Sequence, residues 1–218
     1  MLFRSSPNLL TGKGLTIGTT QETSLKFYSG STTSGVQVQT INNYNLELFY
    51  DIHQNNTIMG VQIIDRNYQN SSSVQADERL RISYEKQIFD LANATRARFG
   101  KPVFIWDDQV AGVARSHSRD MVENNFFSHT NLKGQDPKGR LLAAGLIPGS
   151  WGWRENCAFG QETPIDVHNG WMNSLAGHRD SILSDCKKLG VGVWFAPKTY
   201  SSQSFPYVPY YTQLFRSE

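Results

Sequence analysis

Residues 171–179 read Trp171-Met172-Asn173-Ser174-Leu175-Ala176-Gly177-His178-Arg179, and two further short stretches share their character. These stretches are Asn125-Phe126-Phe127-Ser128-His129-Thr130 and Arg154-Glu155-Asn156-Cys157-Ala158. Each one places a potential metal ligand or acid/base group in a turn-rich, aromatic setting. Two imidazoles and a carboxylate from distant segments form one site only through folding. Such a site can hold a divalent ion or an acid/base pair.

Two more segments follow in order, Gly190-Val191-Gly192-Val193-Trp194 and Tyr211-Thr212-Gln213-Leu214-Phe215. Together the five motifs resemble the bacterial secreted form of the CAP superfamily, which includes cysteine-rich secretory proteins, antigen 5 and plant pathogenesis-related proteins. The resemblance extends from about residue 80 to the last residue of the chain. It implies an α+β fold in which the C-terminal part is an α-β-α sandwich.

The chain divides by composition at Gln69-Asn70-Ser71-Ser72-Ser73, a polar stretch without periodicity. We therefore predict a small β-rich N-terminal module at residues 1–70, a linker at 71–80 and a CAP domain at 81–218. Residues 36–39 alternate with period two, and the runs around 46–50 and 58–64 predict a hairpin. This module resembles, more loosely, the CAP-associated N-terminal domain of Bacillus-type proteins.

The second part alternates predicted helices with short strands. Apolar residues at helical spacing between Tyr84 and Phe99 predict a helix that Gly100 and Pro102 end. Further helix starts are predicted at Asp107-Asp108, Asp136-Pro137 and Thr163-Pro164. Strands are predicted at 103–105, 190–195 and 210–215. The glycines of residues 190–193 indicate close strand packing and not a phosphate loop, because no helix-opening pattern follows them.

Composition restricts the classes of partner. The 218 residues are 39% hydrophobic and 12% aromatic, with a formal net charge of +2 and no Lys/Arg run, so nucleic acid is not an expected partner. No segment approaches the ~20 apolar residues of a membrane span. Residues 1–15 have no continuous apolar run, so we expect no signal peptide in them. The resemblance nevertheless implies an extracellular or envelope location, so residue 1 is interpreted as an engineered start or the point where a leader was removed.

The resemblance also assigns roles in a central cleft. It implies that His129 and His178 bind a divalent cation such as zinc, and that Glu155 contacts this cation directly or through water. Ser174 stands where the eukaryotic members carry a second glutamate, so we expect weak metal binding. Asn173 or Ser174 could hydrogen-bond a ligand or a metal-bound water. Arg179 either fixes the loop or binds an anion.

Other residues have simpler interpretations. We expect His117 to lie in the core or behind the site and Phe127 to be a core residue. His168 could lie at the edge of the cleft, but we expect an exposed helical position. Cys157 and Cys186 stand where bacterial relatives usually carry apolar residues. They form either a disulfide or two buried free thiols.

Two functions remain open. The first is a binding protein without turnover, whose cleft takes a small ligand, an envelope glycan, a lipid, a peptide or another protein. The alternative is a zinc-dependent hydrolase of peptides or cell-wall material, in which Glu155 is the catalytic general base toward a metal-bound water. The chain has no HExxH motif and no GxSxG elbow, which weakens the case for the common hydrolase classes.

Overall fold

The structure, a computed structural model, describes residues 15–28, 30–33, 35–69, 75–146, 152–197 and 206–217. It divides into two compact units, Met1–Ser72 and Ser73–Glu218. Residues 71–74 of the predicted linker lie outside the described residues. The first helix of the second unit begins at Glu78, where the Asp77 side chain accepts a hydrogen bond from the Leu80 amide. The prediction of a linker over 71–80 is therefore wrong for residues 78–80, because Asp77 caps a helix there.

The first unit contains an antiparallel sheet whose strands follow one another in chain order. Its elements are α1 (Gln21–Leu25), β1 (Ser31–Thr33), β2 (Val36–Ile41), β3 (Tyr44–Asp51), β4 (Thr57–Asp65) and α2 (Arg66–Gln69). Alternate residues of β3, namely Leu46, Leu48 and Tyr50, point into a core that also contains Leu15 and Ile58. The predicted β-rich module, with a hairpin between β3 and β4, is confirmed.

The second unit combines helices with a mixed sheet whose strand order is β5-β7-β8-β6. Its elements are α3 (Glu78–Arg98), β5 (Ile105–Trp106), α4 (Asp108–Glu123), α5 (Pro137–Ala143), β6 (Trp153–Phe159), α6 (Pro164–Met172), α7 (His178–Ile182), β7 (Lys188–Pro197) and β8 (Tyr207–Arg216). The predicted capping residues Asp107, Asp136 and Thr163 begin α4, α5 and α6. The strand predicted at 103–105 is found at Ile105–Trp106 and is only two residues long.

Helices cover both faces of this sheet. Ser118 of α4 hydrogen-bonds the Thr212 hydroxyl of β8 at 2.8 Å, whereas Tyr84 of α3 stacks on the neighbouring Tyr211, with ring centroids 6.4 Å apart. Consecutive residues of a strand face opposite sides, so α4 and α3 lie on opposite faces. The predicted α-β-α sandwich is confirmed.

Two glycines of β7 allow α4 to approach the sheet closely. A Cβ atom on Gly190 would lie 2.2 Å from the Ala111 amide nitrogen, and one on Gly192 would lie 2.0 Å from that of Arg115. Any side chain at either position would therefore push the helix away from the strand. This contact confirms the interpretation of these glycines as strand-packing residues.

His168 of α6 is buried, contrary to the expectation of an exposed position. Its side chain packs between α6 and α3, where Nε2 hydrogen-bonds the Thr95 hydroxyl at 2.8 Å. The spacing of apolar residues in α6 did not reveal that His168 is buried, because its burial comes from the contact between this face of α6 and α3. Burial lowers the pKa of His168 to about 4. The folded protein therefore holds this imidazole neutral at pH values where the unfolded chain protonates it.

We predict that protonation of His168 contributes to acid unfolding of the second unit. Between about pH 6.5 and about pH 4 the unfolded chain binds a proton that the folded chain excludes, so stability falls by roughly 3 kcal/mol as the pH falls. Urea unfolding can be followed by tryptophan fluorescence, since all five tryptophans lie beyond residue 72. A His168→Gln variant should lose correspondingly less stability across this pH range. An unchanged pH dependence in the variant would show that His168 does not contribute.

Candidate functional site

The centre of the candidate site is the Glu155 carboxylate on β6, an edge strand of the sheet. One oxygen, Oε1, accepts a hydrogen bond from His129 Nδ1 at 2.8 Å and a weaker one from the Cys157 thiol at 3.4 Å. The other oxygen, Oε2, accepts from Arg140 Nη2 at 2.5 Å. The side chain is only 2% exposed, so protein groups have replaced water around this carboxylate.

Arg140 of α5, which was not among the predicted site residues, holds both members of the His129–Glu155 pair. Besides its ion pair with Glu155, it donates from Nη1 to the backbone oxygens of His129 at 2.7 Å and Gln135 at 3.1 Å. No local motif marks Arg140, because its carboxylate partner lies in a different element. In the sequence, Arg140 stands out only as a charged residue directly before the apolar Leu141 in a short capped helix.

The pKa shifts of Glu155 and His129 follow from these contacts. Burial would raise the pKa of Glu155, but the His129 hydrogen bond and the Arg140 charge outweigh it and hold the pKa below its usual value. The hydrogen bond to Glu155 raises the pKa of His129 above 6.5, although partial burial opposes the shift. The carboxylate is therefore charged, and His129 keeps its Nδ1 proton toward it.

His178 lies at the start of α7, after Gly177, whose φ of +85° is an αL conformation that favours glycine. Its Nδ1 is hydrogen-bonded to the Ser174 hydroxyl at 2.7 Å, and this hydroxyl also accepts from the Ala176 amide. The Asn156 side chain donates to the His178 backbone oxygen at 3.0 Å. Burial and the charge of nearby His129 lower the pKa of His178.

The two histidines approach β6 from different sides. Glu155 and Asn156 are neighbours on the strand and face opposite sides, so His129 packs with Glu155 on the α4 face while Asn156 holds His178 on the other. Asn156 is itself fixed by a 3.0 Å hydrogen bond to Gln213 of β8. The structure thus joins His129 and Glu155 directly and holds His178 separately through Ser174 and Asn156.

Asn173 and Arg179, two other predicted cleft residues, both make contacts with other residues of the protein. Asn173 ends α6, and its side-chain nitrogen donates to Asn169 Oδ1 at 3.0 Å. The Arg179 guanidinium donates to the Met172 backbone oxygen at 3.0 Å and lies 5.1 Å from the centre of the Phe99 ring. Of the two roles considered for Arg179, these contacts favour fixing the loop that carries Ser174 and His178.

Among the described residues, a different group has the compact geometry of a metal site. Ligand atoms of His117, Glu155 and Cys157 lie within 4.8 Å of one another, and all three residues are buried. Their chemistry does not suit a cation, because Glu155 is neutralised by Arg140 and burial raises the pKa of the Cys157 thiol well above its usual value. His117 donates from Nε2 to the Ser128 backbone oxygen at 2.9 Å and lies behind the site as predicted.

Cys157 and Cys186 are both buried and not bonded to each other in the structure, which therefore favours the second of the two open interpretations, two free thiols. Cys157 of β6 and Gly192 of β7 both pair with Thr212 of β8, so they lie at the same height in the sheet. Cys186, in contrast, precedes Lys188, the first residue of β7. Four strand residues at about 3.3 Å each separate these levels, and a disulfide requires Cα atoms within about 7 Å. The alternative interpretation, two buried thiols, agrees with the structure.

An aromatic row lies beside the site, and it contains Phe127, which was expected in the core. The Phe127 ring is 4.8 Å from that of Phe159, and Phe159 stacks on Tyr210 at 5.2 Å. Phe127 and Phe159 are 46% and 47% exposed, so both rings are accessible to solvent. Phe159 shares its face of β6 with Glu155.

The types of donor present at the site suit a divalent cation such as the one that the family resemblance implies. In both His129 and His178, Nδ1 is hydrogen-bonded to an oxygen of the protein, which fixes the ring; a tautomer with the proton on Nδ1 leaves the Nε2 lone pair for a cation. Metal-binding histidines commonly have such a carboxylate or hydroxyl partner. Two imidazole nitrogens suit zinc or a similar divalent ion.

We predict that Arg140→Ala destabilises the second unit by about 3–5 kcal/mol, because it leaves the buried Glu155 carboxylate without its cationic partner. Lys138→Ala, which removes an exposed cation from the same helix, is the control and should change stability little. Urea unfolding followed by tryptophan fluorescence measures both variants. A loss below about 1 kcal/mol in Arg140→Ala would mean that the ion pair behaves as an exposed one.

Comparison with known proteins extends these observations. The model of the cysteine-rich secretory protein family, CAP, matches residues 89–215. Among curated relatives, the uncharacterized membrane protein YlbC of Bacillus subtilis is 39% identical over 129 residues, which are 59% of this chain and 36% of YlbC. The uncharacterized protein YkwD of the same species is 38% identical over 112 residues, which are 50% of this chain and 42% of YkwD. The match thus spans less than half of either relative.

Solved structures show the same fold. An extracellular protein with an SCP domain from Bacillus anthracis superposes with a TM-score of 0.81 at 23% identity and covers 98% of this chain and 76% of its own. A cysteine-rich secretory protein from Staphylococcus aureus has a TM-score of 0.69 at 13% identity and covers 94% of this chain and 71% of its own.

The Bacillus anthracis protein is described as extracellular and the Staphylococcus aureus protein as a secretory protein, whereas YlbC is described as a membrane protein. In the described part of this chain, none of the helices has the length and apolar character needed to cross a membrane. The family match covers more than half of the chain, and the fold and the ordered motifs agree with it. The chain therefore belongs to the cysteine-rich secretory protein (CAP) family.

Proposed function

We propose that the protein is an extracellular or envelope-associated binding module that holds its ligand in the cleft beside β6 without turning it over. The observation that carries the proposal is that the rings of its two histidines are held in the same way. In each ring Nδ1 is hydrogen-bonded to an oxygen of the protein, and a tautomer with the proton on Nδ1 leaves the Nε2 lone pair for a cation. A weakly bound divalent cation on these two nitrogens would link the protein to an anionic or polar group of the ligand.

The environment of Glu155 supports binding over catalysis. A general base must reach the water or substrate proton that it removes. The Glu155 carboxylate is 2% exposed, and its oxygens accept from His129, Arg140 and Cys157. Its low pKa also makes it a weak base. Glu155 is therefore best assigned to orienting His129, which argues against the alternative of a zinc-dependent hydrolase.

Weak cation binding follows from the charges around the site. Ser174 supplies a neutral hydroxyl, and the charge of Glu155 is shared with Arg140. Fewer anionic groups near a divalent ion lower the affinity for it. Protons also compete for His129, whose pKa is raised, so affinity for the cation should fall as the pH falls through the His129 pKa.

The aromatic row gives the cleft a second kind of contact surface. Phe127, Phe159 and Tyr210 form a continuous, partly exposed set of rings that starts two residues from His129. Contiguous exposed apolar surface usually marks an interaction site. A ligand with one polar group and one apolar or ring-shaped face would fit the histidines and the row together.

We predict that zinc titration by calorimetry detects binding to the wild-type protein at about pH 8 and weaker binding at about pH 6. His129→Ala and His178→Ala should each lower the affinity at least about tenfold, because each removes one of two nitrogen ligands. Glu155→Gln should lower it less, since the ring loses only its orienting partner. The control is His53→Ala, which removes an exposed histidine of the first unit.

The same variants test the proposal of binding without turnover. The wild type and the His129→Ala/His178→Ala double variant are assayed on peptide and cell-wall substrates with and without zinc. Hydrolysis by the wild type that disappears in the double variant would contradict the proposal and support the hydrolase alternative. Equal zinc affinity in the wild type and the double variant would refute the cation site.

A further inference from the structure

The sheet of the first unit has an edge that is open beyond its first few residues, and this edge carries a further inference. β4 is the last strand in the order β1-β2-β3-β4. Its start is covered, because Ile58 makes backbone hydrogen bonds with Gly18 and Thr19, each of 2.8 Å. After the bulge at Met59, the outer side of β4 has no neighbouring strand among the described residues. The proposed function of the histidine cleft does not use this edge.

The register of the sheet shows which backbone groups of β4 point to the open side. The Arg66 amide, directly after β4, donates to the Asn43 backbone oxygen at 2.9 Å and so points to the β3 side. Successive residues of a strand direct their backbone groups to opposite sides, so Val61, Ile63 and Asp65 point away from β3. Within the described part of the chain, the backbone of Val61 and Ile63 has no hydrogen-bond partner on this outer side. Such a row of free N–H and C=O groups is a template for another strand.

The side chains along this edge are apolar. Ile63 is 62% exposed and lies on the same face of the sheet as Leu46, its buried neighbour on β3. Ile41 and Tyr44, which pair with each other on this face, are exposed as well. Residues 57–64 include neither a charged residue nor a proline, the residues that commonly protect an edge strand from a second strand. The edge therefore combines free backbone groups with apolar surface.

The other sheet edges in the described part of the chain are either very short or covered by a side chain. β1 and β5 are three and two residues long. Beyond β5, the outer edge of β7 is covered at Val193, whose amide donates to Glu85 Oε1 at 3.1 Å. The outer edge of β6 is covered at Cys157, whose backbone oxygen accepts from Trp171 Nε1 at 3.3 Å. This contrast indicates that the edge of β4 is kept open for a partner.

We propose that the open edge of β4 pairs with β4 of a second copy of the chain, antiparallel and about a two-fold axis. An axis at Ile63 places this residue opposite its own counterpart and places Val61 opposite Asp65 of the second copy. All three outward-facing residues then belong to hydrogen-bonded pairs, and the exposed Ile63 side chain is covered. The register favours a second copy over an unrelated peptide because it is self-complementary: the charged residue, Asp65, meets an uncharged one and no like charges lie opposite each other.

A dimer of this kind carries two histidine clefts. Two weak sites bind a repeating ligand more tightly together than either site does alone, provided that both reach it. This gain in avidity rests on the proposed function, whereas the pairing of β4 does not.

The test measures the association of the full chain by sedimentation equilibrium between about 10 μM and about 0.5 mM, because so small an interface should be weak. Ile63→Lys places like charges opposite each other at the axis and should weaken association at least about tenfold. Ile63→Pro removes the outward-facing amide but no hydrogen bond to β3, so the sheet should fold and association should weaken similarly. Val38→Lys is the matched control, because Val38 is exposed on β2, a strand that is paired on both sides.

Amide hydrogen exchange identifies the edge that is used, and circular dichroism checks that each variant is folded. We expect a dimer that forms with rising concentration, is weakened in both Ile63 variants and is kept in Val38→Lys. The Val61 and Ile63 amides should be protected from exchange in the dimer and not in the monomer. The proposal is overturned if the chain stays monomeric at the highest concentration, or if the folded Ile63 variants dimerise as the wild type does. Protection of both amides in the monomer would show that another segment of the same chain covers the edge and would overturn it as well.

Discussion

The buried carboxylate of Glu155 is the interaction on which the rest of the site depends. Moving a carboxylate out of water costs several kcal/mol, and here three donors compensate for the lost hydration: His129, Arg140 and Cys157. Arg140 also holds the backbone oxygens of His129 and Gln135. A single ion pair thus fixes β6, the loop that carries His129 and the start of α5 against one another. Removing either charge would leave the other buried without a partner.

The edge strand β6 carries both side chains that hold the histidines of the site, Glu155 and Asn156. Consecutive residues of β6 face opposite sides, so Glu155 points toward α4 and Asn156 toward α7. Glu155 hydrogen-bonds the His129 ring, and Asn156 hydrogen-bonds the backbone oxygen of His178. The two imidazoles consequently have opposite pKa shifts, raised for His129 and lowered for His178. His178 is therefore neutral at pH values where His129 still carries a second proton. The hydrogen bond to His129 also explains why Glu155, which looks like a catalytic base in the sequence, is better suited to positioning.

The sequence predicts those interactions that join residues only a few positions apart in the chain. Asp107, Asp136 and Thr163 begin helices because each caps amides two or three residues further on. Arg140 escaped prediction because its partner lies 15 residues away in another element. The burial of His168 depends on packing against α3, and the separation of Cys157 from Cys186 depends on strand register. Phe127 was misplaced because exposure at a sheet edge has no signature in composition.

The most direct test of this account is the titration of His129 by ¹⁵N NMR in the wild type and in Glu155→Gln. If the buried carboxylate orients this ring, its pKa lies above 6.5 in the wild type, and its neutral form carries the proton on Nδ1. In Glu155→Gln the pKa should fall, because a neutral amide stabilises the imidazolium less. A wild-type value at or below 6.5 that the substitution leaves unchanged would contradict the central role of Glu155.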